Sequence, residues 1–139
     1  MRDGVILTLL LAAGAFFALA AATGEPAGSG QPGRTVEVSM QHSRFLLDET
    51  TFMAGETVTF VLRNRDPIDH EFILGDEALQ LGHETGTEPY HDEIPSEVTV
   101  PALSTVSTTV EMPHYGPLII GCHLPGHYGY GMRTQITVE

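Results

Sequence analysis

The sequence predicts an all-β fold, a sandwich or barrel of antiparallel strands. Three observations carry that expectation. From Thr35 onward no stretch sustains a helical period. Several short segments alternate apolar with polar residues and are rich in Val, Ile and Thr. Gly and Pro punctuate those segments at short intervals.

The elements follow in chain order. Val36, Val38 and Met40 alternate with Thr35, Glu37 and Ser39, the pattern of a half-buried strand. Residues 45–47 (FLL) form a short apolar run, and residues 53–56 (MAGE) a turn. Residues 57–64 (TVTFVLRN) are β-branched and alternating, and Asp66-Pro67 breaks them. Residues 70–74 (HEFIL) make the next strand, closed by Gly75-Asp76. Residues 97–100, 105–112, 118–122 and 134–138 complete seven or eight strands. Residues 76–95 are the one long irregular segment, with a single helical turn expected at 76–81. Met40, Met53 and Met112 fall at apolar-face positions and are expected in the core.

The first residues stand apart from this pattern. In residues 1–22, Arg2 precedes an apolar run of about 18 residues that ends in A-x-A sites at Ala18–Ala20 and Ala20–Ala22. That is a secretory signal pattern, and an uncleaved membrane anchor is the alternative. Either places the remainder outside the cytoplasm, periplasmic or secreted. Residues 23–34 are rich in Gly, Pro and Ser and read as a flexible linker. The folded domain is expected over 35–139.

Composition narrows the function. The 139 residues carry 6 Lys+Arg against 18 Asp+Glu, a formal net charge of −12, and every cation is Arg. Such a surface repels nucleic acid. The chain has one Cys, which excludes an intramolecular disulfide, a Cys-rich zinc module and an iron–sulfur centre. With 42% apolar residues the chain can still build a core.

One constellation carries chemistry. The segment GCHLPGHYGYGM at 121–132 holds Cys122, then His127, then Met132. A thiolate, an imidazole and a thioether on one short loop make a soft, mixed ligand set that suits copper. A blue-copper centre needs a second His, and His70 is the choice for it: it follows a Pro-broken turn and opens a strand, a rigid place from which to reach a loop at the same pole. An unpaired thiol in an oxidising compartment is a liability unless it is buried or metal-bound.

C-x4-H-x4-M on the last loop, with H-E-F after N-x-D-P upstream, resembles the cupredoxins, the blue copper proteins. The spacing is more similar to rusticyanin-like and auracyanin-like members than to plastocyanin. The resemblance covers most of 35–139. It implies an eight-strand Greek-key β-sandwich with one mononuclear type 1 copper and a role in one-electron transfer. His70, Cys122 and His127 would then be the equatorial ligands and Met132 the axial one. Glu71 stands where many relatives carry an Asn or Ser that ties the two ligand segments together. Pro125 has no N–H to offer the thiolate, and Gly126, Gly129 and Gly131 let the loop turn tightly.

Multicopper oxidases carry a His on each side of the Cys; here the first position is Gly121 and there is no H-x-H pair, so a type 1 loop without an oxygen-reducing centre is expected. Alternation points His123 away from the Cys122 side, as a structural or surface histidine. His83, Glu84, His91 and Asp92 could hold a second metal ion, but a solvated acidic loop is the preferred reading. His42 and His114 receive no role. Tyr128 and Tyr130 either cover the metal or belong to a docking patch.

The leading functional expectation is an exported one-electron carrier between redox proteins, not an enzyme. The alternative is copper storage, delivery or resistance on the same scaffold. A nitrite reductase fragment is disfavoured by the missing H-x-H. The acidic charge would steer a basic redox partner such as a cytochrome or dehydrogenase, and general proteome bias accounts for it equally well.

Overall fold

Alternation along the first long strands sets the architecture. In a computed structural model, residues 33–86 and 94–139 are described. Among them lie the strands β1 (Arg34–Met40), β2 (Phe45–Leu46), β3 (Thr51–Phe52), β4 (Thr57–Asn64) and β5 (His70–Gly75). The helix α1 (Glu77–Thr85) follows, then β6 (Glu97–Val100), β7 (Thr105–Glu111), β8 (Leu118–Gly121) and β9 (Arg133–Val138). Val36, Val38 and Met40 of β1 and Val58, Phe60 and Leu62 of β4 all turn inward and are buried. The intervening residues face out, as a two-residue side-chain period requires.

Two sheets pack around that core, in the orders β2-β1-β4-β7 and β3-β9-β8-β5-β6. Phe60 links them at the centre, with ring centroids 5.8 Å from Phe52 and 5.2 Å from Phe72. This is the predicted β-sandwich, with one correction to the pairing. The sheets are mixed: β1 runs parallel to β4, and β3 parallel to β9. After β2 the chain crosses to the other sheet at β3 and returns as β4 beside β1. Alternation reveals which face of a strand is buried but not the direction of its neighbour, so the sequence could not show this.

Three further expectations are corrected. Strand β3 was not foreseen; two residues are too few to show a period. The expected single turn at 76–81 is a nine-residue helix. Its N-cap is Asp76, whose side chain accepts the Leu79 N–H at 2.9 Å. Met53 is not in the core but 60% exposed, because it leads into the turn that joins β3 to β4; Met40 and Met112 are buried as expected. In that turn Gly55 adopts φ +74, a left-handed conformation that glycine allows.

Helix α1 matters for the site because it covers β5 and β8 at their outer face. Gln80, 1% exposed, anchors it by donating to Ile73 O of β5 and Ile119 O of β8, each at 3.0 Å. The expected signal or anchor at 1–22 and most of the linker at 23–34 lie outside the described residues. Strand β1 begins at Arg34, one residue before the expected start.

Candidate metal centre

The two ligand segments meet at one end of the sandwich. His70 opens β5 beside β6, paired with Val100, and Cys122 follows directly on β8, the other neighbour of β5. His127 and Met132 lie on the loop between β8 and β9. That loop is closed by its own backbone. His127 N–H donates to Leu124 O at 2.9 Å, Met132 N–H to His127 O at 2.9 Å, and Cys122 N–H to Met132 O at 3.2 Å. Gly126 at φ 84 and Gly131 at φ 97 provide the left-handed turns that such a path requires; Gly129, also expected to serve the turn, has no positive φ.

Three of the four predicted ligands converge. Among the described residues, His70, Cys122 and His127 form the one group of three or more His, Cys, Asp or Glu whose ligand atoms all lie within 4.8 Å of one another. His70 Nδ1 is 3.3 Å from His127 Nδ1, Cys122 Sγ is 3.3 Å from His127 Nδ1, and Cys122 Sγ is 4.0 Å from His70 Nδ1. A point equidistant from these three atoms lies about 2.1 Å from each, which is the length of first-row metal bonds to imidazole nitrogen and close to that for thiolate sulfur. The residues therefore fit a small soft cation. Met132, the fourth, is fully buried beneath the same loop, held through its backbone to both Cys122 and His127.

His70 and Cys122 are completely buried, whereas His127 is partly exposed. Burial pushes the Cys122 thiol up to about 11, against N–H groups of Glu71 and Leu124 that favour the thiolate. The Glu71 N–H lies 3.3 Å from Sγ. Burial also lowers His127, helped by His70 and opposed by Glu71 and Asp66. The neutral thiol thus dominates without a metal, and a cation must displace its proton.

The residues around the candidate ligands are less legible in the sequence. Glu71 does tie the two ligand segments together: its N–H reaches Cys122 Sγ, and its carboxylate accepts the His123 N–H at 3.0 Å. The sequence marks Asp66 only as a strand breaker. Its Oδ2 sits 2.9 Å from His70 Nε2. Burial would raise its carboxyl, but hydrogen bonds from Ser43 N–H, His70 and His42 N–H hold it below the usual carboxylate value. A carboxylate four residues before a candidate ligand, fixed by the turn at Pro67, was the signal available.

His123 points away from Cys122, as alternation predicted, and is structural. Its Nε2 lies 2.7 Å from Gln80 Oε1 and its Nδ1 3.1 Å from Glu84. The two carbonyls that Gln80 Nε2 serves fix the amide, so Oε1 accepts from His123. Burial lowers the His123 pKa, with Glu84 opposing. Tyr128 stacks on His123 at 4.5 Å, and the Arg133 guanidinium covers Tyr128 at 4.9 Å; Tyr130 is 81% exposed.

A Cβ on Gly121 would meet Gln80 Oε1 at 2.4 Å and the Tyr128 ring at 2.8 Å. The position where oxidases place a histidine is thus filled by helix α1 and the loop. His83 and Glu84 lie on α1, engaged with Glu97 and His123 respectively; His91 and Asp92 lie outside the described residues.

No family model matches the chain. It is 30% identical over 151 aligned residues to the copper-resistant cuproprotein CopI of Pseudomonas aeruginosa, with 85% of this chain and 83% of that protein covered. It is 32% identical over 120 residues to a copper-resistant cuproprotein CopI of Rubrivivax gelatinosus, with 84% and 73% covered. Among solved structures, auracyanin B superposes with a TM-score of 0.64 at 22% identity, covering 78% of this chain and 90% of that one. Reduced rusticyanin gives a TM-score of 0.55 at 21% identity, covering 78% and 81%. At such identities the structural matches speak to the fold alone, and that fold is the cupredoxin sandwich.

Proposed function

The chain belongs to the family of the copper-resistant cuproproteins CopI, and from that premise we propose that it is an exported copper protein serving copper resistance. His70, Cys122 and His127 would hold one copper ion, with Met132 as the fourth donor of a type 1 site. The observation that carries this reading is the triangle of Nδ1, Sγ and Nδ1, with edges of 3.3, 3.3 and 4.0 Å.

Copper bound there supplies one-electron chemistry between its cuprous and cupric states. The protein's part is to bind and to exclude water. Cys122 gives up its proton on binding, and the Glu71 N–H supports the resulting thiolate. The sandwich keeps His70 and Cys122 dry, leaving the partly exposed His127 as the edge facing solvent.

A second reading, one-electron carriage between redox proteins, is favoured by the packing of the donors. One ligand on a strand and three on a backbone-closed loop keep the geometry fixed across a change of charge. A basic partner would suit the net charge of −12. In neither reading does the protein turn over a substrate.

The test is direct. Purified protein loaded with cupric ion should show an intense sulfur-to-copper absorption, one copper per chain, and loss of the band in Cys122→Ser. Colourless copper-loaded protein would sink the type 1 assignment. Cells lacking the protein should lose copper tolerance if resistance is its role. Fast electron self-exchange with unaltered tolerance would favour the carrier. Export is checked by fractionation of cells and sequencing of the mature N-terminus.

A further inference from the structure

We propose that Asp66 is a positioning residue for the copper site: it holds the His70 ring with Nδ1 bare and aimed at the metal, and its charge weights the site toward the cupric state. This rests on the copper reading above.

His70 has no exposed surface, so its two ring nitrogens must find partners inside the protein. One of them, Nε2, lies 2.9 Å from Asp66 Oδ2. An ionised carboxylate only accepts, so Nε2 carries the ring proton and Nδ1 is left with its lone pair. A carboxylate in this position fixes the tautomer and the ring orientation and raises the basicity of the ligand.

Asp66 is itself held from several directions. Its Oδ1 accepts the His42 N–H and its Oδ2 the Ser43 N–H, both at 2.8 Å. Its own N–H donates to Asn64 Oδ1 at 2.9 Å. The Asn64 amide in turn donates to Ile68 O at 2.7 Å and to Val100 O and Pro101 O at 3.1 Å. His42 and Ser43 both sit at φ 53, the left-handed region that costs an ordinary L-residue. Two successive residues in that conformation direct both N–H groups at one carboxylate, and strain of this kind persists where the surroundings over-determine it. The β1–β2 turn thus supports a ligand on β5 in the opposite sheet, through Asp66.

The electrostatic part follows from Coulomb attraction. A fixed negative charge one imidazole away from the metal stabilises the doubly charged ion more than the singly charged one, and burial weakens the screening of that difference.

The test compares full-length wild type with Asp66→Asn and Asp66→Ala. Cupric and cuprous dissociation constants are measured by chelator competition. Asp66→Asn keeps an acceptor for the Nε2–H and removes the charge. It is expected to weaken cupric binding at least tenfold relative to cuprous, equivalent to a rise in potential of about 59 mV for one electron. Asp66→Ala should additionally lose about 10- to 100-fold in overall affinity. A cupric-to-cuprous ratio within twofold of wild type in Asp66→Asn overturns the proposal. If Asp66→Ala does not fold, the near-isosteric Asn variant carries the test. Nitrogen-15 NMR of the wild-type cuprous protein adds a check that needs no variant: a slowly exchanging Nε2–H on His70 is expected, and a bare Nε2 overturns the assignment. Wild type that binds neither ion would instead refute the copper reading on which this rests.

Discussion

Raising the pH should tighten cuprous copper binding about tenfold per unit from neutrality toward the alkaline range, because the Cys122 proton must leave when the metal enters. The ordinary thiol value is 9.0, and burial moves Cys122 to about 11. Below that value each unit of pH multiplies the thiolate fraction by about ten. The two-unit displacement means the metal must overcome roughly 2–3 kcal/mol beyond what an exposed cysteine would ask. His127, held below its usual value by burial and by His70, is already neutral across this range. The same shift sets the alkaline stability of the metal-free protein. The thiol is protonated in both folded and unfolded chains below about 9, the ordinary value. Above it the unfolded chain loses the proton first, so stability falls between 9.0 and about 11. The assay is anaerobic chelator competition at successive pH values between neutrality and the alkaline range, with proton release counted in weak buffer. An affinity that levels off at the ordinary thiol value, or release well below one proton per copper at mildly alkaline pH, would refute the reasoning.

The other predictions concern the frame around the ligands. Gly121→Ala forces a Cβ against Gln80 and Tyr128 and should cost about 1–3 kcal/mol in urea unfolding of the metal-free protein; a wild-type midpoint would contradict the packing described. Gln80→Leu strands Ile73 O, Ile119 O and the His123 Nε2–H, and a loss of about 2–4 kcal/mol is expected in the same assay. Leu103, 72% exposed at φ 54, should be replaced by Gly with a gain of about 0.5–1 kcal/mol; a loss would show that its side chain packs. His123 and His127 both have lowered values in the folded protein. The unfolded chain therefore binds more protons below the ordinary histidine value, and stability should fall as pH drops through that window. A urea midpoint unchanged on mild acidification would count against it.

Much of the candidate centre is legible because three of its four candidate donors cluster in one segment. Cys122, His127 and Met132 lie on a single loop, and their spacing alone suggested a soft-metal site. His70 stands 52 residues before Cys122 in sequence and needed a topological guess, that a strand opening after Asp66-Pro67 would end at the same pole. The pairing of β5 with β8 makes that guess work. Gln80 and Glu71 were harder to read. Gln80 lies in a segment whose helix was underestimated, since its apolar positions Leu79 and Leu81 are too few to mark a period. Glu71 is not the Asn or Ser that the resemblance implies at this position, yet its backbone N–H makes the contact to sulfur, and a backbone group is independent of side-chain identity. Met53 is apolar yet 60% exposed, because apolar character permits burial without requiring it.

The β-class, the inward faces of β1 and β4 and the donor types are all legible in the amino-acid sequence. Each of these is a local property: side-chain period, composition, and the chemistry of Cys, His and Met. Only the tertiary structure decided which strands run parallel, that Asp66 stands behind His70, and that α1 closes the space beside Gly121. Those facts depend on contacts between segments 4 to 86 residues apart, where chain order places no limit on which groups meet and packing and hydrogen-bond satisfaction do.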